Sequence, residues 1–426
     1  MRKMELNEQK HSQAAILGLQ HLLAMYSGSI LVPIMIATAL NYSSEQLTYL
    51  ISTDIFMCGI ATFLQVQLRK HFGVGLPVVL GVAFQSVAPL SIIGAKHGSG
   101  TMFGALIASG IFVIAIAGVF SKIAVFFPPI VTGSVITTIG LTLISVAIGN
   151  MGDNAKSPTS TSLILSLLTV VIILLLHKFT TGFVKSISIL IGLVAGTVIA
   201  SFMGLVDFSA VAQAPLIHVP TPFYFGLPKF ELSSIIMMCI IAIVSLVEST
   251  GVYLALADIT EETLDSKRLR NGYRSEGIAV LLGGLFNTFP YTGFSQNVGL
   301  VQLSGIRTRR PIYYTALFLI ILGLLPKFGA LAQMIPSPVL GGGMLVMFGM
   351  VSTQGIQILH TVDFKKNEHN LIVAAVSIAA GVGFNRTNLF DSLPTNAQMF
   401  LTNGIVIATL CSILLNLLFN GKEPIK

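Results

Sequence analysis

One carboxyl group lies deep in an apolar stretch of this chain. Glu248, in IVSLVESTGVYLALAD, is flanked on both sides by residues that favour lipid over water. A charge in the middle of a membrane helix costs at least about 2.5–3.5 kcal/mol on insertion scales, so such a residue is a functional candidate by default. We therefore expect Glu248 to be protonated, paired or in contact with a water-filled cavity, where it could bind a ligand or carry a proton.

Two amides, Gln296 and Asn297, stand side by side in a polar interruption, FPYTGFSQNVGLVQLSG. Pro290, Gly293 and Gly299 surround them and disfavour a continuous helix. Within a membrane, broken backbone is tolerated only where it is buried in protein or lines a cavity. The stretch therefore predicts a broken span whose amides face a binding site.

A similar interruption, GLPVVLGVAFQSVAPL, covers residues 75–90 and contains Phe84, Gln85 and Ser86. Interrupted segments at corresponding positions of two halves indicate the substrate site of a transporter. Neutral hydrogen-bonding groups, an aromatic ring and a nearby carboxyl suit a flat, uncharged or weakly acidic heterocycle, because base–aromatic stacking contributes roughly 1–3 kcal/mol. An inorganic anion would need Arg or Lys inside the spans, and the sequence offers none there.

Two other ionisable residues lie within apolar stretches. His21 follows Gln20 in GLQHLLAMYSG and is either a hydrogen-bonding link between helices or part of the site, and the residues alone leave both open. Asp54, in ISTDIFMCG, is expected to have a structural role, capping or pairing locally with Ser52 or Thr53.

The elements that must position these residues are membrane spans. Of the 426 residues, 54% are hydrophobic and 10% charged, with a mean hydropathy of +0.85, whereas soluble domains have about 25% charged residues. A span needs roughly 20 apolar residues. The sequence therefore predicts an all-α polytopic membrane protein with 14 spans, at about 14–40, 47–67, 74–94, 102–120, 124–148, 161–177, 186–205, 234–257, 275–290, 291–306, 312–330, 335–357, 369–385 and 398–419.

The basic residues indicate the orientation of these spans. The formal net charge is +7, and most Lys and Arg residues fall in segments that 14 spans place on one side. By the positive-inside rule that side is the cytoplasm, so both termini are cytoplasmic and the protein lies in the plasma (inner) membrane. This distribution predicts no nucleic-acid partner. The N-terminus lacks the features of a cleaved signal peptide. Cys58, Cys239 and Cys411 are expected to be reduced packing residues, with no metal and no cofactor.

An internal repeat is also visible. PIVTGSVITTIG at 129–140 aligns with PVLGGGMLVMFG at 338–349, and two weaker matches precede them in the same order. The chain therefore divides into 1–208 and 209–426, each with seven spans. An odd number of spans inserts the second half upside down, which gives the inverted repeat of secondary transporters.

With these motifs the chain resembles the nucleobase–ascorbate transporter (nucleobase:cation symporter-2) family over essentially its whole length, in particular the bacterial xanthine and uric acid permeases. The family motif begins with Gln or Glu, Asn, any residue and Gly, followed by four further residues and then Thr. It is present here as residues 296–299 followed by Ser304. The Gln-His pair of the first span matches Gln20 and His21, and the acidic residue of the eighth span matches Glu248.

The resemblance implies two inverted seven-span repeats that form a core domain (spans 1–4 and 8–11) and a gate domain (spans 5–7 and 12–14). It also implies short extended strands in broken spans 3 and 10, and a homodimer. By matching positions, Glu248 and Gln296 would bond the substrate, Phe84 would stack on it, and Gly28 and Ser295 would lie close to it. The supporting or coupling residues would be His21, Asn297, Gln85, Ser86, Glu276 and Gln20.

Two positions depart from the family pattern. Ser304 replaces the usual Thr but keeps the hydroxyl, and Val252 stands where relatives often have Asp or His, which removes a titratable group. Uracil carriers tend to have Glu at the position of Gln296, so the amide here favours a purine dione.

These features predict a secondary transporter that imports a purine base, xanthine or urate, in symport with protons. Alternatives are a carrier of uracil or another nucleobase, or an anion carrier of the related sulfate and bicarbonate fold, whose members usually add a soluble C-terminal domain. An intramembrane enzyme such as a prenyltransferase would need acid-rich metal motifs, which the sequence lacks, so no enzyme activity is predicted. A channel is disfavoured because no repeated filter sequence is present.

Overall fold

The computed structural model describes residues 11–123, 128–155, 157–305, 307–384 and 388–421, and these are mostly helical. The first half contains α1 (His11–Ser29), α2 (Leu31–Ala39), α3 (Ser44–Val66), β1 (Leu80–Val82), a 3₁₀ turn (Phe84–Ser86), α4 (Val87–His97), α5 (Ser99–Ile123), α6 (Pro129–Met151), α7 (Ser160–Phe179), α8 (Gly182–Ser186) and α9 (Ser188–Phe202). The second half contains α10 (Ser209–Gln213), α11 (Leu232–Thr260), α12 (Ser266–Leu285), β2 (Tyr291–Gly293), α13 (Gln296–Ser304), α14 (Arg310–Gly323), α15 (Pro326–Gln333), α16 (Ser337–His360), α17 (His369–Gly383), a 3₁₀ turn (Asn388–Phe390), α18 (Thr395–Leu401) and α19 (Gly404–Asn420).

Several helices begin at a residue that can cap the helix N-terminus or at a proline in the first turn. Ser43 and Gln46 form a reciprocal capping box at the start of α3, which satisfies two backbone N–H groups that lack helical partners. The carboxylate of Asp265 accepts a hydrogen bond from the Arg268 amide and begins α12. Pro129 lies in the first turn of α6, where a missing N–H removes no helical hydrogen bond.

The two interrupted stretches each form a short buried strand. β1 and β2 pair antiparallel, with Leu80 opposite Gly293 and Val82 opposite Tyr291. Each strand is followed by a helical segment, the 3₁₀ turn and α4 after β1 and α13 after β2. The pairing satisfies the backbone groups that a broken helix leaves exposed, and it brings the two helix beginnings close together.

The longer helices pack in two sets. In one set α5 lies along α12 and α11, and α3 lies along α14. In the other, α6 lies along α16, and α7, α9, α17 and α19 surround that pair. Small residues allow close approach within the first set: a Cβ on Gly277 of α12 would lie 2.9 Å from the backbone nitrogen of Ile114 on α5.

The lengths and composition of the helices make this a multi-pass membrane protein, as the sequence predicted. Among the described residues, seven helices are long and apolar enough to cross a membrane, and α14 with α15 passes the same test as a pair bent by 80°. Shorter apolar helices are α9, α17 and α19. The total of 14 spans stays a prediction.

Some predicted spans have different boundaries. The span predicted at 275–290 is wrong in its limits, since α12 begins at Ser266 after the Asp265 cap and ends at Leu285. Its first turns are charged, so an apolar window misses them. The predicted first span corresponds to one continuous membrane helix, His11–Ala39, in which Ile30 forms a turn between α1 and α2, whereas the predicted span 312–330 is bent by 80° between α14 and α15.

Candidate functional site

A polar cavity of about 690 Å³ lies between the two sets of helices. One wall is formed by α11 and α13, and the opposite wall by α16 with single residues of α6 and α7. The polar and charged residues among those that line it are His177, Glu248, Asp258, Ser295, Gln296, Gln302, Thr353, Gln354, Gln357 and Thr361. A second cavity of about 210 Å³ shares His177, Gln296, Gly299 and Met350 with the first.

Glu248 lies on α11 at the inner part of the cavity and is held by two side chains from the broken segments. Its Oε2 accepts a hydrogen bond from Gln85 Nε2 at 3.0 Å and one from Thr292 Oγ1 at 3.4 Å. Gln85 also donates to Ser245 Oγ at 2.9 Å, which fixes the amide. Since both bonds use Oε2, the other carboxyl oxygen of Glu248 is placed to meet a molecule in the cavity.

Gln296 opens α13 and lines both cavities, with Ser295 beside it in the larger one. The Ser295 hydroxyl donates to Gln296 Oε1 at 3.3 Å, so the amide nitrogen of Gln296 points its two donors elsewhere. In the first turn of α13 the backbone amides of Asn297 and Val298 are already bonded, to the carbonyls of Phe294 and Ser295 at 3.1 Å, so the side chains supply the polar groups of this helix end. The structure therefore brings Glu248, Ser295 and Gln296 to one cavity.

His21 and Asn297 form a contact between α1 and α13 behind the cavity. Asn297 Nδ2 lies 3.1 Å from His21 Nδ1 and 3.3 Å from the His21 carbonyl oxygen, so the amide donates and the neutral ring accepts. Both side chains are buried, and neither lines the cavity. This arrangement favours the reading of His21 as a link between helices that positions the start of α13.

Phe84 and Gly28 lie close to the cavity without lining it. Phe84 is only 7% exposed and packs edge-on against Phe348, with the ring centroids 5.5 Å apart. A Cβ on Gly28 would lie 2.7 Å from the Phe294 ring, so the glycine makes room for that side chain. Stacking of Phe84 on a substrate stays a prediction. Phe294 is a second aromatic ring that a substrate could contact, since it lines the smaller cavity.

Ser86 and Gln20, two further positions predicted for the site, line neither cavity. Ser86 is buried and donates to the Ala83 carbonyl at 2.6 Å, which stabilises the turn after β1. Gln20 is half-buried on α1. The two positions that depart from the family pattern differ in location. The Ser304 hydroxyl donates to the Val301 carbonyl of its own helix. Val252 lines the larger cavity, one turn along α11 from Glu248.

Glu276 and Asp54 are fully buried carboxyls outside the cavity. Glu276 accepts a hydrogen bond from the Tyr253 hydroxyl. Asp54 accepts one from the Tyr291 hydroxyl of β2 at 3.2 Å and one from the Cys58 thiol, one turn along α3, at 4.0 Å. Neither partner is Ser52 or Thr53, the local partners that the sequence predicted. Among the described residues, no group of three or more His, Cys, Asp or Glu side chains is arranged to hold a metal ion.

Several residues that line the cavity were not singled out by the sequence. Gln354 and Gln357 lie on α16, and His177 lies at the end of α7. The signal was present as the polar segment VSTQGIQILH within an apolar helix. Thr292 and Ser249 were also overlooked, because hydroxyl side chains are common in membrane helices and usually bond to their own backbone.

A multi-pass membrane protein whose broken segments meet at a polar cavity is by architecture a membrane transport protein. The sequence model of the permease family matches residues 12–389. The chain belongs to this family, and it is therefore a transporter and not an enzyme, as the sequence predicted.

Known proteins agree with this assignment over nearly the full length. The xanthine permease of Bacillus subtilis (strain 168) is 51% identical over 408 residues, covering 95% of this chain and 93% of that protein. The uric acid permease PucK of the same organism is 50% identical, covering 97% and 96%. The uric acid transporter UacT of Escherichia coli (strain K12) is 39% identical, covering 96% and 86%.

Solved structures with low sequence identity share the fold. The transmembrane domain of the cyanobacterial bicarbonate transporter BicA superposes with a TM-score of 0.61 at 16% identity, covering 96% of this chain and 98% of that one. The murine anion transporter Solute Carrier 26 family member A9, in its inward-facing state, gives a TM-score of 0.69 at 13% identity, covering 98% and 70%.

Proposed function

We propose that this protein imports a purine base, xanthine or urate, in symport with protons across the plasma membrane. The observation that carries the proposal is the presence of Glu248 and Gln296 on one cavity, at the meeting point of the broken segments. A carboxyl and a primary amide can each bond two neighbouring atoms on the edge of a purine dione. Relatives of about 50% identity that are named xanthine and uric acid permeases support the same substrate class.

The proposed binding roles combine the positions of these side chains with the roles that the family resemblance implies. Gln296 and the free oxygen of Glu248 bond the polar edge of the base, and Ser295 contributes a hydroxyl. Gln85 holds Glu248, and the His21–Asn297 pair holds α13. Phe84 stacks on the base after a movement that exposes its ring, and Gly28 keeps the space that Phe294 occupies.

The proposed architecture is two inverted seven-span repeats, residues 1–208 and 209–426. The set of helices around α3, α5, α11, α12 and α14 forms the core domain, and the set around α6 and α16 forms the gate domain. In this proposal the seven long helices are joined by the bent pair α14 and α15, the shorter apolar helices α9, α17 and α19, the partly charged helix α12 and the two broken segments, β1 with α4 and β2 with α13, which gives 14 spans. A homodimer is part of this proposal, by analogy with the family.

We further propose that the cavity opens to the cytoplasm. The exposed residues Asp258 and Thr361 lie at its mouth, and Asp258 is about 15 Å along α11 from Glu248 at a rise of 1.5 Å per residue. Basic residues follow the same ends of α11 and α16: Lys267 and Arg268 lie in the first turn of α12, and Lys365 and Lys366 lie in the segment after α16. By the positive-inside rule this mouth and both termini are cytoplasmic, although residues 1–10 and 422–426 lie outside the described part of the chain.

An anion carrier is the second candidate, because the solved structures that share the fold include bicarbonate and anion transporters. The charged residues that line the large cavity argue against it, since Glu248 and Asp258 are acidic and neither Lys nor Arg is among its described lining. An inorganic anion would find no cationic side chain on this wall to offset the loss of its hydration.

The decisive experiment is uptake of radiolabelled xanthine by cells that express the protein, with unlabelled urate, uracil, hypoxanthine, guanine and bicarbonate as competitors. We expect saturable uptake that a protonophore abolishes and that xanthine or urate inhibits most strongly. Uptake inhibited best by uracil, or by bicarbonate alone, would overturn the proposed substrate class.

A further inference from the structure

The smaller cavity lies on a different face of α13 from the larger one. Val298 and Gln302, one helical turn apart, line only the larger cavity, whereas Leu300 and Leu303 line only the smaller. Gly299 lines both cavities. Apart from its own helix and chain neighbours, no described atom lies within 4 Å of a Cβ placed on Gly299. The two cavities are therefore two branches that meet beside this glycine.

An aromatic ring and an amide lie at the end of the smaller cavity nearest β2. Phe294 follows β2 directly, and its N–H donates to the Val79 carbonyl at 2.9 Å, which continues the pairing between the broken segments. A Cβ on Gly28 or Gly81 would lie 2.7 or 2.6 Å from the Phe294 ring, so both glycines are needed to seat it. Gln296 lines the same cavity. Together these side chains can stack on a flat base and donate to its edge.

The two branches differ in charge. Glu248 and Asp258 line the larger cavity, whereas Lys185 of α8 lines the smaller, whose described lining contains neither Asp nor Glu. Lys185 is exposed, and neither of the ion pairs between described residues involves it. His177 lines both cavities and is a second basic side chain in the smaller one. A cleft lined by one sign of charge concentrates ligands of the opposite sign, so the smaller branch favours an anion.

The size and the walls of the smaller cavity indicate the kind of anion. Its volume of about 210 Å³ is below the roughly 300–1,000 Å³ of pockets for drug-sized ligands, which suits one small ring system. The apolar side chains of its wall are Ile173, Leu174, Ile189, Leu300, Met347 and Met350. A small inorganic anion would lose its hydration against this wall, whereas a flat heterocyclic anion can place its ring there and its charge towards Lys185.

We infer that the smaller cavity is a second substrate subsite that selects purines carrying a negative charge, with Lys185 as the residue that selects the charge. The base stacks on Phe294, the Gln296 amide donates to its edge, and the ammonium group of Lys185 balances its charge. Urate has lost a ring proton at neutral pH, whereas xanthine is mostly neutral, so this subsite discriminates between the two candidate substrates. The inference rests on the proposed function, since it assumes that a purine dione is bound.

The first test measures binding of urate and of xanthine to the purified full-length protein by isothermal titration at neutral pH. Lys185→Gln removes the charge and Lys185→Glu reverses it, and both substitutions are at an exposed position. Lys178→Glu is the matched control. Lys178 is also exposed, lies near the end of α7 with its ammonium 5.0 Å from the centre of the Phe179 ring, and lines neither cavity.

We expect Lys185→Gln to weaken urate binding by about fivefold, the upper range for one exposed charge pair. Lys185→Glu should weaken it further, while xanthine binding changes little in both variants and Lys178→Glu matches the parent protein. Added salt should weaken urate binding to the parent protein more than to Lys185→Gln, because it screens the charge of an exposed lysine.

The second test locates the bound urate with two neighbouring positions on α13. In a cysteine-free background, Leu303→Cys reports on the smaller cavity and Gln302→Cys on the larger one, and both positions are exposed. The rate of reaction with an uncharged maleimide is measured with and without saturating urate. Urate should slow the reaction of Leu303→Cys more than that of Gln302→Cys, and Lys185→Gln should reduce this difference.

Three results would overturn the subsite. Unchanged urate affinity in both Lys185 variants, or equal weakening by Lys178→Glu, would exclude charge selection by Lys185 while leaving the proposed function intact. Protection of Gln302→Cys alone would place urate in the larger cavity. A parent protein that binds neither urate nor xanthine would refute the proposed function itself, and the subsite with it.

Discussion

Gln85 determines which part of Glu248 a substrate can meet. The amide of Gln85 and the hydroxyl of Thr292 both bond Oε2, and Ser245 fixes Gln85 in turn. Glu248 thus keeps one orientation on α11 and presents its other oxygen to the cavity. Preorganised polar groups of this kind lower the cost of ordering side chains when a ligand binds.

Gln296 is expected to determine which base is bound. Gln296→Ala removes both the amide acceptor and its donors, so high-affinity xanthine uptake should be lost while the protein still reaches the membrane. Gln296→Glu replaces donors with acceptors and should shift preference among xanthine, urate and uracil. The measurement is a competition profile for labelled uptake, with Gln213→Ala, on the exposed helix α10, as the control. Identical profiles for all three variants would remove Gln296 from the site.

One substitution can distinguish a packing role of Phe84 from a substrate-binding role. If its ring stacks on the base, Phe84→Ala should weaken binding by about 1–3 kcal/mol, as loss of base stacking does. If Phe84 only packs against Phe348, the substitution should lower the melting temperature of the purified protein and leave affinity unchanged. Binding measured by isothermal titration beside thermal unfolding separates the two, and full affinity would exclude stacking.

Among the elements, the paired strands β1 and β2 create a contact between the two broken segments that two continuous helices could not form. β1 and β2 bring the beginnings of the two broken helical segments together and direct Thr292 towards α11. The helix α11 crosses behind both, so it can carry Glu248 on one turn and Ser249 beside it. Its start is fixed outside the span by Glu231, which accepts hydrogen bonds from the Ser233 and Ser234 amides at 3.0 and 2.7 Å.

The cap at Glu231 gives a pH-dependent prediction. Burial opposes ionisation of this carboxyl, but the bonds from Ser233 and Ser234 outweigh it and lower the pKa of Glu231 from 4.5 to about 2. Because the folded-state pKa is below the unfolded one, the cap stabilises above about pH 4.5 and is lost as the pH falls towards 2. Glu231→Ala should cost about 0.5–2 kcal/mol at neutral pH, the usual range for a lost helix cap.

The measurement is thermal unfolding in detergent across this pH range. The melting temperature of Glu231→Ala should lie below that of the parent at pH 7, and the two should converge in acid. Glu368→Ala is the control, since Glu368 occupies the same position before α17 without a side-chain cap bond. Equal shifts for both variants would show that the hydrogen bonds at Glu231 contribute nothing.

The sequence predicted the parts of the site that depend on composition. Pro290 and Gly293 marked the break, and a lone carboxyl among apolar residues marked Glu248, because both features are costly in a membrane unless the fold uses them. Contacts between residues far apart in the sequence depend on three-dimensional packing, so composition and local pattern could not predict them. Asp54 bonds Tyr291, far away in sequence, and Gly28 makes room for Phe294, and no local pattern encodes either contact.

At the level of the complete protein, the cavity between the two sets of helices indicates a carrier that is open on one side. In the proposed orientation that side is the cytoplasm. In a cysteine-free background, Asp258→Cys and Gln357→Cys at the mouth should react with a membrane-impermeant thiol reagent in inverted vesicles but not in intact cells. Gln213→Cys on α10 should show the opposite pattern. Labelling of the mouth positions from outside the cell would reverse the proposed orientation.

Energy coupling requires a group that holds a proton while the substrate is bound and releases it inside. A proton carried inward with a neutral base moves one positive charge, which is worth about 2.3 kcal/mol per 100 mV. That energy alone supports roughly 50-fold accumulation at equilibrium, before any pH gradient is added. Glu248 is the carboxyl that meets the cavity and the hydroxyl of Thr292 together, so it can sense the substrate and give up the proton.

Glu248→Gln keeps the shape and hydrogen bonds of the protonated carboxyl but cannot release a proton. We therefore expect this variant to bind xanthine and to exchange it across the membrane, while it loses accumulation driven by pH or voltage. Uptake and counterflow are measured in the same vesicles at imposed pH gradients, with Glu368→Gln as an exposed control outside both cavities. Concentrative uptake by Glu248→Gln with an unaltered pH dependence would exclude Glu248 as the coupling residue and leave Glu276 or His21 as the group that carries the proton.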